Sequence, residues 1–232
     1  MAIAAQNDPG ASIPVYLLAN RAKALESTGH LAEARKGYQA CRTEAEQHDK
    51  KLFAAHCMIG LSIVARLQGD LPGAHELIKQ VADLVGTSAP LGSPAAIAIK
   101  IQRGELALAE EHLTVAQDEL DAAIREAPVP YMTIEARMTR AQVYAEQGNV
   151  AAAEADARFA LKLTREQQGD EPYSDRVGAA WLVLGKVLAK KNDRPRAAAA
   201  YRTAVENLTH TVDGSHFRLQ EALRLASSTE SR

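Results

Sequence analysis

Five segments of this chain repeat one local pattern, in which a turn-forming residue is followed five residues later by alanine. The turn residues are Gly29, Gly69, Gly104, Gly148 and Asn192. The alanines that follow them are Ala34, Ala74, Ala109, Ala153 and Ala197. Glycine and asparagine tolerate the left-handed backbone conformation through which a chain leaves one helix and enters the next. The pattern therefore predicts a series of helix-turn-helix units.

The residues after each predicted turn keep helical spacing. Nine residues past the turn residue lie Tyr38, Ile78, Leu113, Ala157 and Tyr201. Twelve residues past it lie Cys41, Val81, Ala116, Ala160 and Ala204. Steps of four and three residues place side chains on one face of a helix, and small residues there let neighbouring helices approach closely. We therefore predict an all-α fold.

Composition agrees with helices and narrows the range of partners. Hydrophobic residues make up 47% of the 232-residue chain, but aromatic residues only 4%. This balance favours closely packed, alanine-rich helices over a sheet. Lysine and arginine total 27, against 29 aspartate and glutamate residues. A chain without positive excess is poorly suited to neutralising phosphates or an anionic bilayer, so we expect neither nucleic acid nor membrane as a partner.

The fifth unit, which includes WLVLGKVLAKKNDRPRAAAAYRTAV, resembles the tetratricopeptide repeat (TPR). Residues of the types expected in that family are Trp181, Leu184, Gly185, Leu188, Ala197, Tyr201 and Ala204. The resemblance implies an all-α, TPR-like α-solenoid of about five antiparallel helix pairs plus a C-terminal capping helix, of the longer-repeat bacterial type. Arg137 and Arg140 depart from it, because they stand where large apolar residues are usual.

The repeats suggest how the chain is organised. We expect a single TPR-like superhelical domain over 12–227, between a flexible N-terminus at 1–11 and a flexible C-terminus at 228–232. The units lie at about 13–48, 50–86, 92–126, 131–168 and 174–212, followed by the capping helix at 215–227. Segments rich in proline and glycine separate units, among them TSAPLGSP at 87–94 and EAPVP at 126–130. The third unit matches the pattern least well.

The cysteines and the N-terminal residues bear on the compartment. Cys41 and Cys57 have no CxxC spacing, and we expect both to be reduced, buried thiols. The N-terminal residues MAIAAQNDPGAS contain neither the basic region nor the sustained apolar run of a secretory signal. No window approaches the eighteen apolar residues of a membrane span. We therefore expect a cytoplasmic location.

The sequence carries no recognisable pattern of an active site, a metal site or a nucleotide-binding loop. Its seven histidines fall in no HExxH or Cys/His spacing. Its glycines form neither GxGxxG nor a phosphate-binding loop. Acidic pairs such as Glu110 and Glu111 are typical of solvated helix faces. We expect no catalytic residues, metal, cofactor or enzymatic activity, and an enzyme with a site assembled across several helices is the weakest alternative.

By the resemblance, the first helix of each pair lines a concave groove that binds the partner. The groove residues would be Tyr16, Lys23, His56, Ile59, Ile63, Arg66, Glu135, Met138, Gln142, Leu182, Lys186 and Lys190. Apolar members of this set suit an amphipathic helix or an extended peptide, and the cationic members suit acidic groups of a partner. Met138 and Leu182 are the apolar contacts we expect to matter most.

Family members that bind the C-termini of chaperones use a clamp of lysine and asparagine. The matching positions in the first three units hold Ala19, Lys23, Gly60, Leu91 and Ala95. Only one of them is basic, and none is asparagine. We therefore do not expect this chain to bind the C-terminal carboxylate of a partner.

Two functions follow as hypotheses. The first is a non-catalytic protein–protein interaction scaffold or adaptor that binds a peptide or helix of a partner protein in its concave groove. The second is a ligand-sensing or docking TPR module of a larger bacterial signalling protein, a Ser/Thr kinase or an ATP-dependent transcription activator, whose C-terminal repeats the last segment of this chain resembles. A homodimer through the first repeat is also open, because the N-terminal end lacks an evident capping helix.

Overall fold

Short turns join the helices of this chain into pairs. The structure, a computed structural model, describes residues 13–86, 90 and 92–230. Its helices are α1 (Val15–Thr28), α2 (Leu31–Gln47), α3 (Lys51–Leu67), α4 (Leu71–Val85), α5 (Pro94–Ala109), α6 (Leu113–Glu126), α7 (Ile134–Glu146), α8 (Val150–Gln168), α9 (Asp175–Lys190), α10 (Arg194–Thr209) and α11 (Phe217–Glu230). A 3-10 turn, Pro130–Thr133, precedes α7. None of these helices is long and apolar enough to cross a bilayer.

The helices pack within two compact units, Met1–Ser88 and Ala89–Arg232. In the first unit, α1 packs on α2 and α3 on α4, and α1 also lies beside α3. In the second unit, α5 packs on α6, α7 on α8 and α9 on α10, and α11 covers α10. The predicted all-α chain of five helix pairs with a C-terminal capping helix is confirmed. The assignment of all five pairs to one domain over 12–227 stays a prediction.

Parts of the predicted organisation lie outside the described residues. These parts are the N-terminal segment 1–11, positions 87–89 and 91 of the TSAPLGSP segment, and residues 231–232. The capping helix, expected at 215–227, begins at Phe217 and runs to Glu230.

The five turns within the helix pairs share one hydrogen bond. In each turn, the residue after a left-handed residue donates its N–H to the carbonyl five residues earlier, over 2.8 to 2.9 Å. The left-handed residues are Gly29, Gly69, Glu111, Gly148 and Asn192. This bond satisfies a carbonyl that the end of a helix leaves free. The repeat seen in the sequence is therefore a repeat of one backbone turn.

The turn predicted at Gly104 is wrong. Gly104 lies inside α5, where an added Cβ would come within 2.6 Å of the Leu120 side chain on α6. The absence of a side chain at Gly104 lets α5 and α6 pack closely, and the residue forms no turn. The turn lies at Glu111, which has a φ of 61°, and an alanine again follows five residues later, at Ala116. The third unit is thus a complete helix pair.

The alanine that follows each turn residue by five positions is buried. With the corrected third turn, this set is Ala34, Ala74, Ala116, Ala153 and Ala197. Because a methyl group keeps the distance between helices short, these positions bring the second helix of each pair close to its neighbours. At the C-terminal end, Leu219 and Ala222 of α11 are buried against the last pair.

A disulfide bond joins α2 to α3. Cys41 and Cys57 are both buried, and their Cα atoms lie 5.9 Å apart, within the usual range for a disulfide. The expectation of two reduced thiols is therefore wrong. The two cysteines meet because the second helix of the first pair packs on the first helix of the second pair.

Candidate partner-binding site

The predicted groove residues fall into two sets, one in each packing unit. The set in the first unit is Tyr16 and Lys23 on α1, with His56, Ile59, Ile63 and Arg66 on α3. The set in the second unit is Glu135, Met138 and Gln142 on α7, with Leu182, Lys186 and Lys190 on α9. Each set therefore lies on two neighbouring first helices, and the sets differ in how much of their surface reaches solvent.

A buried carboxylate, Glu26, lies beneath the first set and bonds side chains of both α1 and α2. Its Oε2 accepts a hydrogen bond from the Tyr38 hydroxyl on α2 over 2.7 Å, and its Oε1 lies 2.6 Å from Lys23 Nζ. Burial and the Glu26 charge raise the pKa of Tyr38 above its ordinary value, so the phenol stays protonated and donates. Glu26 thus holds the half-exposed Lys23 side chain in place.

His56 faces the same cluster from α3. Although it reaches the surface, burial by its surroundings lowers its pKa, the Lys23 ammonium lowers it further, and the Glu26 carboxylate opposes both effects. The two charges that act on this imidazole belong to α1, which lies beside α3. The structure therefore brings together two predicted site residues that are far apart in the sequence.

Large apolar side chains share the sides of α1 and α3 that carry Lys23 and His56, according to their helical spacing. Tyr16, on α1, is 53% exposed. Leu52, on α3, is 70% exposed and precedes His56 by four residues, so the two share one side of the helix. Ile59 is buried and Ile63 half-buried on the same side of α3. We name these residues the α1–α3 face: Tyr16, Lys23, Leu52, His56, Ile59 and Ile63.

Sequence reasoning missed two of the residues that shape this face. Leu52 continues the spacing of His56, Ile59 and Ile63 toward the start of α3, and that spacing was the available signal. Glu26 follows Lys23 by three residues, a spacing typical of a helical ion pair, but its burial against Tyr38 depends on how α2 packs.

The second set is differently placed. Met138 and Leu182 are only 4% and 3% exposed and belong to the hydrophobic core of this unit. Glu135 and Gln142 are half-buried, and the Gln142 side chain donates to the Met138 carbonyl. This set therefore offers little apolar surface to a partner.

The two lysines of the second set are already paired with carboxylates. Lys186 Nζ lies 2.5 Å from Glu221 of the capping helix, and Lys190 Nζ lies 2.9 Å from Glu146 of α7. Both pairs connect α9 to a neighbouring helix. A partner carboxylate would have to compete with these internal contacts.

Arg137 and Arg140, the exceptions to the repeat pattern, form a partly buried ion-pair network. Asp156 of α8 is buried, and its oxygens accept from Arg137 Nη1 over 2.7 Å and from Arg140 Nε over 2.6 Å. Arg140 also bonds Asp121 of α6. Burial opposes the charge of Arg140, but its bonds to Asp156 and Asp121 outweigh burial and raise its pKa. These arginines therefore join three helices.

A cleft on the side of the second helices lies between α8 and α10. Its volume is about 310 Å³, and its apolar floor includes Trp181, Leu184 and Leu188 of α9. The arginines at its rim are paired with carboxylates one turn earlier, Arg158 with Glu154 and Arg196 with Asp193.

Within the described residues, no group of three or more His, Cys, Asp or Glu side chains could hold a metal ion.

Repeated helix pairs with a common turn and buried small residues define this chain as an α-helical repeat protein. No protein-family model and no curated protein matches its sequence. Among solved structures, it is similar to YrrB, described as a TPR protein with an unusual peptide-binding site, at 18% identity over 96% of this chain and 97% of that one, with a TM-score of 0.44. It is also similar to a TPR protein from Parabacteroides merdae, at 14% identity over 99% of this chain and 89% of that one, with a TM-score of 0.50. The chain thus has the TPR fold, as its sequence resemblance implied.

Proposed function

We propose that this protein is a non-catalytic interaction scaffold that binds a peptide or helix of a partner protein on its α1–α3 face. The observation that carries the proposal is the exposure of Tyr16 and Leu52, at 53% and 70%, on the helix sides that also carry Lys23 and His56. Large apolar side chains next to fixed polar groups are the usual composition of a protein-binding surface.

Contacts within the protein fix part of the α1–α3 face in the absence of a partner. Glu26, whose other oxygen accepts from Tyr38, forms an ion pair with Lys23. Because this pair already restricts the Lys23 side chain, less side-chain entropy is lost when a partner contacts it. Gly60 lets α3 pack directly on the Tyr38 ring, where a Cβ would come within 2.3 Å of the ring. The backbone that presents His56 and Ile63 is thereby supported on its buried side.

The first unit suits this role better than the second. On α7 and α9, Met138 and Leu182 are buried in the core. Lys186 and Lys190 form ion pairs with carboxylates of neighbouring helices. On α1 and α3, Tyr16 and Leu52 remain exposed. We therefore assign the binding role to the first unit and treat the second set as structural.

Selection from a random peptide library tests the proposal. The immobilised protein is panned against a phage-displayed library, and the enriched peptides are synthesised and measured by fluorescence anisotropy. We expect Tyr16→Asp and Leu52→Asp each to weaken binding by about tenfold, since both remove an exposed apolar contact. Val115→Asp is the matched control, because Val115 is 55% exposed on α6 of the other unit.

Two results would count against this function. One is a library that yields no enriched peptide. The other is an enriched peptide that binds Leu52→Asp and Tyr16→Asp as tightly as the unchanged protein. Circular dichroism and thermal unfolding of each variant ensure that lost binding reflects the face, since an exposed side chain contributes little to stability.

A further inference from the structure

A single covalent bond connects the two helix pairs of the first unit. The chain has two cysteines, so the bond between Cys41 and Cys57 is the only disulfide it can form within itself. The bond joins α2 of the first pair to α3 of the second. Both cysteines are fully buried, in a core cluster that also includes Val15 and Ala19 of α1. The disulfide therefore lies where three helices of this unit meet.

The contact between Gly60 and the Tyr38 ring lies one helical turn from the disulfide. Tyr38 precedes Cys41 by three residues on α2, and Gly60 follows Cys57 by three residues on α3. Residues three apart lie on the same side of a helix. An added Cβ at Gly60 would overlap the Tyr38 ring, so the two helices are as close as they can be at this point. Two adjacent contacts, one covalent and one steric, thus fix the spacing of α2 and α3.

From Tyr38 the contacts continue to the α1–α3 face. The Tyr38 hydroxyl donates to Glu26 Oε2 over 2.7 Å, and Glu26 Oε1 lies 2.6 Å from Lys23 Nζ. On α3, Cys57 directly follows His56. Lys23 and His56 both belong to the α1–α3 face. A change in the spacing of α2 and α3 at the disulfide therefore reaches this face through groups that are already in contact.

Reduction of the disulfide requires such a change in spacing. A disulfide holds its sulfur atoms about 2 Å apart, whereas non-bonded atoms in contact lie roughly 3.5 to 4 Å apart. A dithiol reductant transfers two electrons, the two sulfurs each take up a proton, and the reductant leaves as a disulfide. Because the surrounding core is closely packed, the two buried thiols are accommodated by a shift of α2 against α3.

We propose that the Cys41–Cys57 disulfide is a redox switch of the α1–α3 face, which binds its partner segment more tightly in the oxidised state than in the reduced state. This inference rests on the proposed function and names a means of regulating it. In the reduced state, Tyr38 and Glu26 no longer hold Lys23 in one geometry, so more side-chain entropy is lost on binding.

The switch responds slowly because its sulfur atoms are buried. A thiolate must reach one of the two sulfurs directly in order to reduce the bond, and Cys41 and Cys57 have no exposed surface. Reduction therefore follows a local opening of α2 from α3. We expect it to take minutes to hours, as is usual for disulfide exchange without a catalyst.

The affinity of the two redox states tests the inference. The peptide selected from the library is titrated by fluorescence anisotropy against the oxidised protein and against protein reduced with dithiothreitol. We expect the reduced protein to bind about fivefold more weakly. Cys41→Ala/Cys57→Ala is the control, because it has no bond to break and should bind equally with and without reductant. Circular dichroism establishes whether the reduced protein is folded in the same buffer.

The redox equilibrium of the bond provides a second, independent measurement. Coupling between two equilibria is reciprocal, so a peptide that prefers the oxidised state must also oppose reduction. The oxidised fraction is determined by thiol alkylation in mixtures of reduced and oxidised dithiothreitol, with and without saturating peptide. The ratio of dithiol to disulfide at the midpoint should rise by about fivefold when peptide is present. A disulfide with only a structural role would give the same midpoint in both series.

Tyr38→Phe tests the route from the disulfide to the face. This variant keeps the ring that contacts Gly60 and removes the hydroxyl that bonds Glu26. We expect its two redox states to differ in affinity by less than about twofold, because the connection to Lys23 is broken. Tyr201→Phe, at a buried tyrosine of α10 in the other unit, is the matched control and should keep the fivefold difference.

The outcomes separate this inference from the proposed function. Equal affinity of a folded protein in both redox states would overturn the switch and leave the scaffold function standing. Tighter binding by the reduced protein would also overturn it. A reduced protein that has lost its helical circular dichroism signal would show that the disulfide serves stability alone. A library without enriched peptides would overturn both proposals.

Discussion

Gly60 of α3 lies directly against the ring of Tyr38 of α2: a Cβ at Gly60 would lie 2.3 Å from the ring atoms Cε1 and Cζ and 2.6 Å from Cε2. Tyr38 is buried, and its hydroxyl is bonded to Glu26. The ring therefore cannot move aside without breaking that bond. This contact connects the spacing of α2 and α3 to the polar cluster beneath the α1–α3 face.

We expect Gly60→Ala to destabilise the protein by about 1 kcal/mol. Alanine favours a helix interior by up to about 1 kcal/mol over glycine, but overpacking against a fixed ring costs about 1 to 3 kcal/mol. Urea unfolding followed by circular dichroism measures the difference. Gly214→Ala is the control, because nothing lies within 4 Å of a Cβ at that position. Equal stability of Gly60→Ala and the unchanged protein would contradict the close contact.

The disulfide between Cys41 and Cys57 should contribute about 3 kcal/mol to stability, as expected for a loop of this length. Cys41→Ala/Cys57→Ala should therefore unfold at lower temperature than the unchanged protein in the absence of reductant. A dithiol reductant should lower the unfolding temperature of the unchanged protein and leave that of the double variant unaltered. Two thiols that react in denaturant without prior reduction would show that the bond is absent.

Stability should fall at acid pH because of His216, which precedes the capping helix. Burial and, less strongly, the Arg218 charge lower its pKa to about 4, although the carboxylates of Asp175 and Asp213 act in the opposite direction. The unfolded chain, with an ordinary pKa of about 6.5, binds a proton more readily than the folded one. This contribution is complete above about pH 6.5 and is lost as pH falls toward 4, to a total of roughly 3 kcal/mol.

Chemical unfolding at a series of pH values measures this loss. His216→Asn should flatten the profile between about pH 6.5 and 4, and it keeps an acceptor for the Arg218 N–H that the His216 ring now bonds. His112→Asn, at an exposed position, should leave the profile unchanged. An identical acid profile for His216→Asn and the unchanged protein would rule out His216 as the cause.

Asp156→Asn should cost about 3 kcal/mol, because it leaves Arg137 and Arg140 without the buried carboxylate that they share. Asp170→Asn, at an exposed position, is the matched control. Replacing Arg137, Arg140 and Asp156 together by leucine should remain within about 1 kcal/mol of the unchanged protein, since apolar packing can replace a buried ion network. Thermal unfolding of the three variants decides whether the network stabilises the fold or only replaces apolar contacts.

Features that depend on neighbouring residues were predicted correctly from the sequence. Gly29, Gly69, Gly148 and Asn192 form turns because each local segment favours a left-handed residue between two helices. The periodicity of apolar and small residues was sufficient to predict paired helices, since burial repeats with the helical period. The TPR resemblance and the capping helix follow from the same local information.

The third turn required knowledge of packing. Glu111 adopts a left-handed conformation for which glutamate has no local preference, whereas Gly104 is needed where α5 approaches Leu120. Glycine serves both purposes, and the sequence pattern does not distinguish them. The error therefore arose where a long-range contact determines the residue type.

In the candidate site too, some features follow from local helical spacing and others only from the packing of the helices. The TPR resemblance assigned Lys23, His56 and Ile63 to first helices, but only the packed structure separated the exposed Leu52 from the buried Met138 and Leu182. Likewise, the pairing of Cys41 with Cys57 came from the packing of α2 on α3. Local periodicity determines which side chains share a helix face, because it depends on backbone geometry alone. Which faces are covered, and which charges and thiols meet, is decided only when the helices pack together.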